Sequence, residues 1–244
     1  IVGQCIGSGA LAAVGSAYTL MVFLISILLG LSMGSGTVFS LQYGAGRMKA
    51  LRRSIYVSAV LIGTVTIVLN IAALSFIHPI LKLLQIPDDI YQMMYDYLWI
   101  IFWGIGFTFI YNFYAALLRA IGNAVTPLYF LAISVVLNIG LDLFFILLLD
   151  WGIKGAAIAT IIAQGVSALG IMGYTYAKCP ELRLHRNDLH FDRHCLKEIT
   201  SFSTLTCIQQ SVMNLGILMV QGLVNSFGSM VMAAFAAAIK IDSF

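Results

Sequence analysis

Formal charges along this chain come in clusters, and the stretches between clusters are long. Residues 1–46 carry none, nor do 54–77, 97–118, 120–141, 155–177 or 199–239. A helix needs about 20 mostly apolar residues to cross a bilayer, so every one of these gaps can hold a span. Of the 244 residues, 61% are apolar and 9% are charged, against about 25% charged in a soluble domain. A water-facing surface cannot be built from that composition. It excludes a soluble enzyme, a nucleic-acid-binding domain and a disordered chain, and the net charge of +3 suggests no nucleic-acid partner. The segments are too long and too evenly apolar for the alternating strands of a barrel. The expectation is an all-α polytopic membrane protein, not an enzyme.

Complete spans are expected near 16–42, 54–77, 92–118, 126–149, 154–177 and 201–224, with a seventh opening near 231. The 41-residue gap 199–239 is broken by Gly222 and by the polar stretch Asn225 to Ser229. Basic residues orient these spans, because Lys and Arg favour cytoplasmic connections. Arg47, Lys49, Arg52 and Arg53 follow the first span, and Arg119 ends the third. Lys178, Arg183, Arg186, Arg193 and Lys197 lie between the fifth and sixth. The alternate connections hold only Lys82 and Lys154, with Asp88, Asp89 and Asp150. The first complete span therefore runs from outside to inside.

The chain opens on Ile1 and stops at Phe244 directly after an apolar run, so it is expected to be part of a longer protein. Gly7-Ser8-Gly9-Ala10-Leu11-Ala12-Ala13 resembles Gly228-Ser229-Met230-Val231-Met232-Ala233-Ala234 at an offset of 221 residues. Each copy opens a span on the outer side, and six spans separate them. An even number preserves direction, so the repeat is parallel, with its axis along the membrane normal, as in many transporters.

Twenty-two glycines raise the question of a nucleotide loop, but Gly44-Ala45-Gly46-Arg47 lacks the Gly-Lys-Ser/Thr ending. Gly30 and Gly34, spaced by four with Gly36 beyond, suit close helix–helix approach in lipid. Gly44 and Gly46 suit a helix end. With no ATP site, any pumping must draw on an ion gradient.

Asp142 is the one acid well inside a complete span, and an acid there costs roughly 2.5–3.5 kcal/mol on insertion scales. Asn138 lies one turn away on the same helix face. Counting rise from the outer ends puts Thr160, on the next span, at a similar depth. An Asn, an Asp and a Thr together can hold a proton or a small cation. Asn112, Gln164, Gln210 and Asn214 are further polar residues inside spans. They are candidates for a cavity lining, with interhelical hydrogen bonding as the plainer role, which Asn70 and Gln209 share. The stretch from Cys179 to Cys195 includes His185, His190 and His194, but its spacing is not that of a metal site, apart from the adjacent pair His194-Cys195. No metal or resident cofactor is expected.

These residues together resemble the multidrug and toxic compound extrusion (MATE) transporters. The resemblance rests on Val2-Gly3-Gln4 leading to Ala10-Leu11-Ala12-Ala13-Val14-Gly15, on Gly30-Leu31-Ser32-Met33-Gly34 and on Gln42-Tyr43-Gly44-Ala45-Gly46. Leu118-Arg119-Ala120-Ile121-Gly122-Asn123 before Thr126-Pro127 continues it, followed by Leu137 to Asp142 and Gly155 to Thr160. The resemblance implies a MATE-type helical bundle of two six-helix lobes around a central cavity, in a multi-pass protein of the bacterial plasma membrane. Residues 1–178 would form the N-terminal lobe, 179–198 a cytoplasmic linker and 199–244 the start of the C-terminal lobe. The implied activity is secondary antiport: export of organic, often cationic, compounds such as drugs and toxins in exchange for H+ or Na+. A monomer is expected, with a small-molecule substrate and the bilayer as partners. The branch like the DNA-damage-inducible export proteins carries Asn-x-x-x-Asp in its fifth helix, here Asn138 and Asp142, and a threonine in its sixth, here Thr160. The family's other key acid maps just ahead of Ile1. Another branch places a glutamate in its seventh helix, where this chain has Gln209 and Gln210. Family members often carry a proline near the start of that helix, where Ser203-Thr204 stand here. The alternatives are a lipid or lipid-linked oligosaccharide flippase of the same superfamily, which usually shows more basic cavity residues, and a passive channel.

Overall fold

The structure, a computed structural model, describes residues 2–184 and 192–242. Arg186, His185 and His190 lie outside the described residues. All regular elements among the described residues are helical. They are α1 (Val2–Cys5), α2 (Ser8–Gly44), α3 (Met48–Ser75), α4 (Ile77–Leu83), α5 (Asp88–Trp103), α6 (Ile105–Ala120), α7 (Val125–Leu143), α8 (Gly152–Lys178), α9 (Arg193–Asn225) and α10 (Ser229–Asp242). Five of the helical stretches are long and apolar enough to cross a membrane singly, and α5 with α6 make a sixth. The chain is a multi-pass membrane protein.

That sixth span departs from the single helix expected over 92–118. It bends by 47° at Gly104. A Cβ on Gly104 would stand 2.9 Å from Ile161 on α8, so the glycine lets the bend close onto its neighbour. A break also frees carbonyls, and the Asn70 side chain donates to the Phe102 carbonyl beside it. The connection after α3 is likewise more ordered than a loop. Ile77, Leu81, Leu84 and Ile86 are buried, so α4 and the turn after it lie folded against the bundle.

Helix α2 is the spine. It packs against α3, α5, α6, α9 and α10, and it does so with small side chains. Gly30 and Gly34 face α9 so closely that a Cβ would stand 2.5 Å from the Cα of Cys207 and 2.4 Å from the Cα of Ser203. The Ser203 hydroxyl donates to the Leu31 carbonyl at 3.1 Å. α2 stops at Gly44, and Gly46 turns the chain with φ 69° into the basic connection. Asp192 caps α9 by accepting the His194 amide at 2.8 Å. That bond holds its carboxyl below the ordinary range. The cap is therefore present at neutral pH and is lost as pH falls through the lowered value.

The two openings of the repeat share a backbone conformation. Gly7 (φ 115°) and Gly228 (φ 92°) both sit in the left-handed region, each immediately before a serine that starts a helix, α2 or α10. These two helices pack together, and a Cβ on Gly15 would stand 2.3 Å from the Cβ of Ala236. Gly15 and Ala236 are themselves 221 residues apart. A residue touches its own repeat mate only close to the axis relating the copies, so the axis passes near this contact.

Candidate functional site

Asp142 is the penultimate residue of α7, just before five residues, Phe144–Leu148, wind as a π-helix. The chain then reverses tightly. The Trp151 amide donates to the Phe145 carbonyl at 3.0 Å, and the two rings stack 5.1 Å apart. Gly155 receives this turn, since a Cβ there would stand 3.0 Å from that of Phe145 and 3.1 Å from that of Trp151. α7 and α8 thus form an antiparallel hairpin whose register is set by the turn. It brings the inward face of α7 opposite Thr160.

Within that hairpin, the Asn138 amide donates to the Thr160 hydroxyl at 3.4 Å. Thr160 in turn donates to the Ala156 carbonyl of its own helix at 2.9 Å. Asn138, Asp142, Thr160 and Gln164 all line one cavity of about 410 Å³. Its other walls include Tyr97 and Ile101 of α5, Val14, Gly15, Tyr18 and Met21 of α2, and Ala236 of α10. Asp142 is the one formally charged residue in this lining. Its Oδ1 is buried and has no hydrogen-bond partner. An unpartnered buried carboxylate oxygen is costly, and a proton or a small cation bound there would relieve that cost.

The remaining sequence candidates divide. Gln164 reaches the cavity and accepts from the Thr108 hydroxyl at 3.2 Å. Asn112 donates to the carbonyl of that same Thr108 at 2.9 Å, so it is joined to the cavity through one residue and does not line it. Asn214 is buried and donates to the Gln210 carbonyl at 2.8 Å. Neither Asn214 nor Gln210 lines this cavity. Two tyrosines that sequence reasoning misses stand in its wall. Tyr97 enters it from α5 and Tyr18 from α2. Counted from the start of the span expected over 92–118, Tyr97 lies five residues in, close to the six that separate Thr160 from Lys154. Among the described residues, no group of three or more His, Cys, Asp or Glu gathers as a metal site.

Comparison with known proteins identifies this architecture. The family pattern described as MatE matches residues 1–144. The chain belongs to the MatE family. It is 32% identical to the "Probable multidrug resistance protein YpnP" of Bacillus subtilis (strain 168) over 243 residues, covering 99% of this chain and 54% of that protein. It is 29% identical over 250 residues to the "Probable multidrug resistance protein YoeA" of the same organism, again covering 54% of the relative. This MatE chain thus spans about half the length of the curated relatives it matches. Among solved structures it superposes on the MATE multidrug transporter DinF-BH with a TM-score of 0.88 and 26% identity, covering 97% of this chain and 53% of that one. An inward-facing MATE transporter of the MOP superfamily matches in fold with a TM-score of 0.91 and 22% identity, covering 97% of this chain and 54% of the other. The all-α, MATE-type bundle expected from the sequence is the fold observed. The family match ends at residue 144, so Asn138 and Asp142 fall inside it and Thr160 and Gln164 beyond it.

Proposed function

We propose that the full-length protein exports organic, often cationic, compounds by secondary antiport, with H+ or Na+ as the coupling ion, and works by alternating access. The observation that carries this reading is the buried, unpartnered Oδ1 of Asp142 in a cavity it shares with Asn138 and Thr160. An ionisable group inside a span is functional by default. The cavity is of a size for small molecules, and its wall of aromatic, aliphatic and Met side chains around one acid suits an apolar cation. Relatives named as probable multidrug resistance proteins and a structural neighbour described as a multidrug transporter support the substrate class. In the same reading residues 1–178 are the N-terminal lobe, 179–198 the linker and 199–244 the start of the second lobe, in a monomer with no resident cofactor.

The coupling step follows from electrostatics. With the cavity open to the outside, Asp142 is ionised. A proton or Na+ binding there cancels its charge and removes the cost of burying it, so the helices around it can close. Asn138 and Thr160, which line the same cavity, offer neutral oxygens to the bound ion. One pH unit supplies about 1.4 kcal/mol per proton, and 100 mV adds about 2.3 kcal/mol per charge. Exchange of one proton for a neutral compound then sustains a gradient of several hundred-fold, about 3.7 kcal/mol at 1.4 kcal/mol per decade. Exchange for a monovalent cation cancels the electrical part and leaves about tenfold.

The test is Asp142→Asn in the full-length protein, reconstituted and assayed for efflux driven by a proton or sodium gradient. The expected result is normal expression with loss of gradient-driven efflux. Efflux at the parental rate would remove Asp142 from the mechanism.

A further inference from the structure

The outer half of α2 carries a second polar cluster, separate from the cavity of Asp142. Ser16 and Thr19 on α2 face Gln221 and Asn225 on α9. The Ser16 hydroxyl donates to Asn225 Oδ1 at 3.1 Å, and the Thr19 hydroxyl to Gln221 Oε1 at 3.2 Å. Gln221 Nε2 donates to the Ser16 hydroxyl at 2.9 Å and to Asn225 Oδ1 at 2.8 Å. Asn225 Nδ2 donates to the Leu84 carbonyl at 2.8 Å and so ties in the folded outer connection. All four side chains are buried, none more than 5% exposed.

Two features make this more than ordinary packing. The first is the contrast along one seam. The inner half of the α2–α9 contact is backbone against backbone at Gly30 and Gly34, where separation forfeits dispersion contacts that water does not replace. The outer half is held by side-chain hydrogen bonds, which water can take over when the seam parts. The second is position. Gly15 and Tyr18 line the cavity of Asp142, while Ser16 and Thr19, on the same turn, enter the network. One turn of α2 therefore separates the two, and next to it Gly15 closes on Ala236 near the repeat axis.

We propose that Ser16, Thr19, Gln221 and Asn225 form an outer latch between α2 and α9, released each time the cavity opens outward, while the Gly30–Gly34 contact stays closed as the pivot. The turn 15–19 links the latch to the occupancy of Asp142. This rests on the alternating-access reading above and adds to it which contact opens.

The latch is tested in the full-length protein with Cys5→Ser, which removes a native exposed thiol near the outer side. Ala17→Cys is the reporter, because Ala17 is fully buried beside the latch. In right-side-out vesicles a membrane-impermeant thiol reagent should label it slowly. Gln221→Leu removes three bonds of the network and should speed labelling about tenfold, the factor that ~1.4 kcal/mol gives. Thr19→Val removes one bond and should raise it less; it serves if Gln221→Leu does not fold. Unchanged labelling in a folded variant overturns the latch. A second arm locks the seam. Ser16→Cys with Asn225→Cys, joined by a short bifunctional thiol reagent, should stop efflux until the link is reduced. Linked protein that transports at the unlinked rate also overturns it. If labelling responds to Gln221→Leu but the unlinked protein shows no gradient-driven efflux, the latch stands and the antiport reading fails.

Discussion

Helices α2 and α7 are both apolar spans, yet the bundle treats them in opposite ways. In its most apolar window, half of α2 is buried inside the protein, against 6% for α7. α2 packs on α3, α5, α6, α9 and α10 and carries no Asp, Glu, Lys, Arg or His. α7 packs chiefly on α8 and turns residues such as Leu128, Tyr129, Val136 and Ile139 outward. It nevertheless carries Asn138 and Asp142. The charge is thus placed on the least buried of the five long single spans, the one with little packing to resist movement. The helix that cannot move without reorganising the bundle supplies close contacts and seams. If that division is right, substitutions on α2 should act on stability through packing, and substitutions on α7 should leave stability alone or improve it.

The largest effect is expected from Gly34→Ala. Its new Cβ would stand 2.4 Å from the Cα of Ser203, a backbone atom that cannot swing aside as a side chain would. Overpacking of this kind costs about 1–3 kcal/mol and occasionally more, and here the upper end applies. The melting temperature of the purified full-length protein in detergent should fall clearly. An unchanged melting temperature would show that the α2–α9 seam is looser than described and would undo the contrast.

Asp142→Asn should move in the other direction. Its Oδ1 is buried without a partner, and leaving such a group unsatisfied costs about 1–3 kcal/mol. The isosteric amide removes the charge while keeping the shape. The variant should therefore melt at the parental temperature or higher while losing gradient-driven efflux. A lower melting temperature would assign Asp142 to the architecture instead of the transport cycle.

The spans and the meeting of Asn138, Asp142 and Thr160 were legible in the sequence because each rests on a one-dimensional quantity. Charge gaps give span length, and rise per residue gives depth. Gly30 and Gly34 were legible as contact residues, but not the identity of their partner, since spacing on one helix carries no information about the other. The bend at Gly104 was hidden by the evenness of hydropathy through 97–118. The carbonyl that makes the bend tolerable is satisfied by Asn70, 32 residues upstream. Tyr18 and Tyr97 were hidden for another reason: an aromatic inside a span reads as lipid-facing until its rotational position is known. The Ser16–Gln221 network joins residues 205 apart, so only the folded chain displays it.

Two smaller effects complete the comparison. Ser203→Ala removes the bond to the Leu31 carbonyl across the seam. Interhelical hydrogen bonds in membranes average about 0.6 kcal/mol, so a modest drop in melting temperature is expected, well short of that for Gly34→Ala. Gly140→Ala is the matched control on α7. Gly140 lies between Asn138 and Asp142, and a Cβ there meets nothing within 4 Å. The same chemical change that strains α2 should shift α7 by no more than about 0.5 kcal/mol, and toward stability, because Ala is the better helix former. Efflux should be retained, since the added methyl touches neither neighbour. A large loss of stability at Gly140 would mean that its open side is covered in the full-length protein. α7 would then be a buried helix like α2, and the freedom proposed for the helix that carries Asp142 would have to be given up.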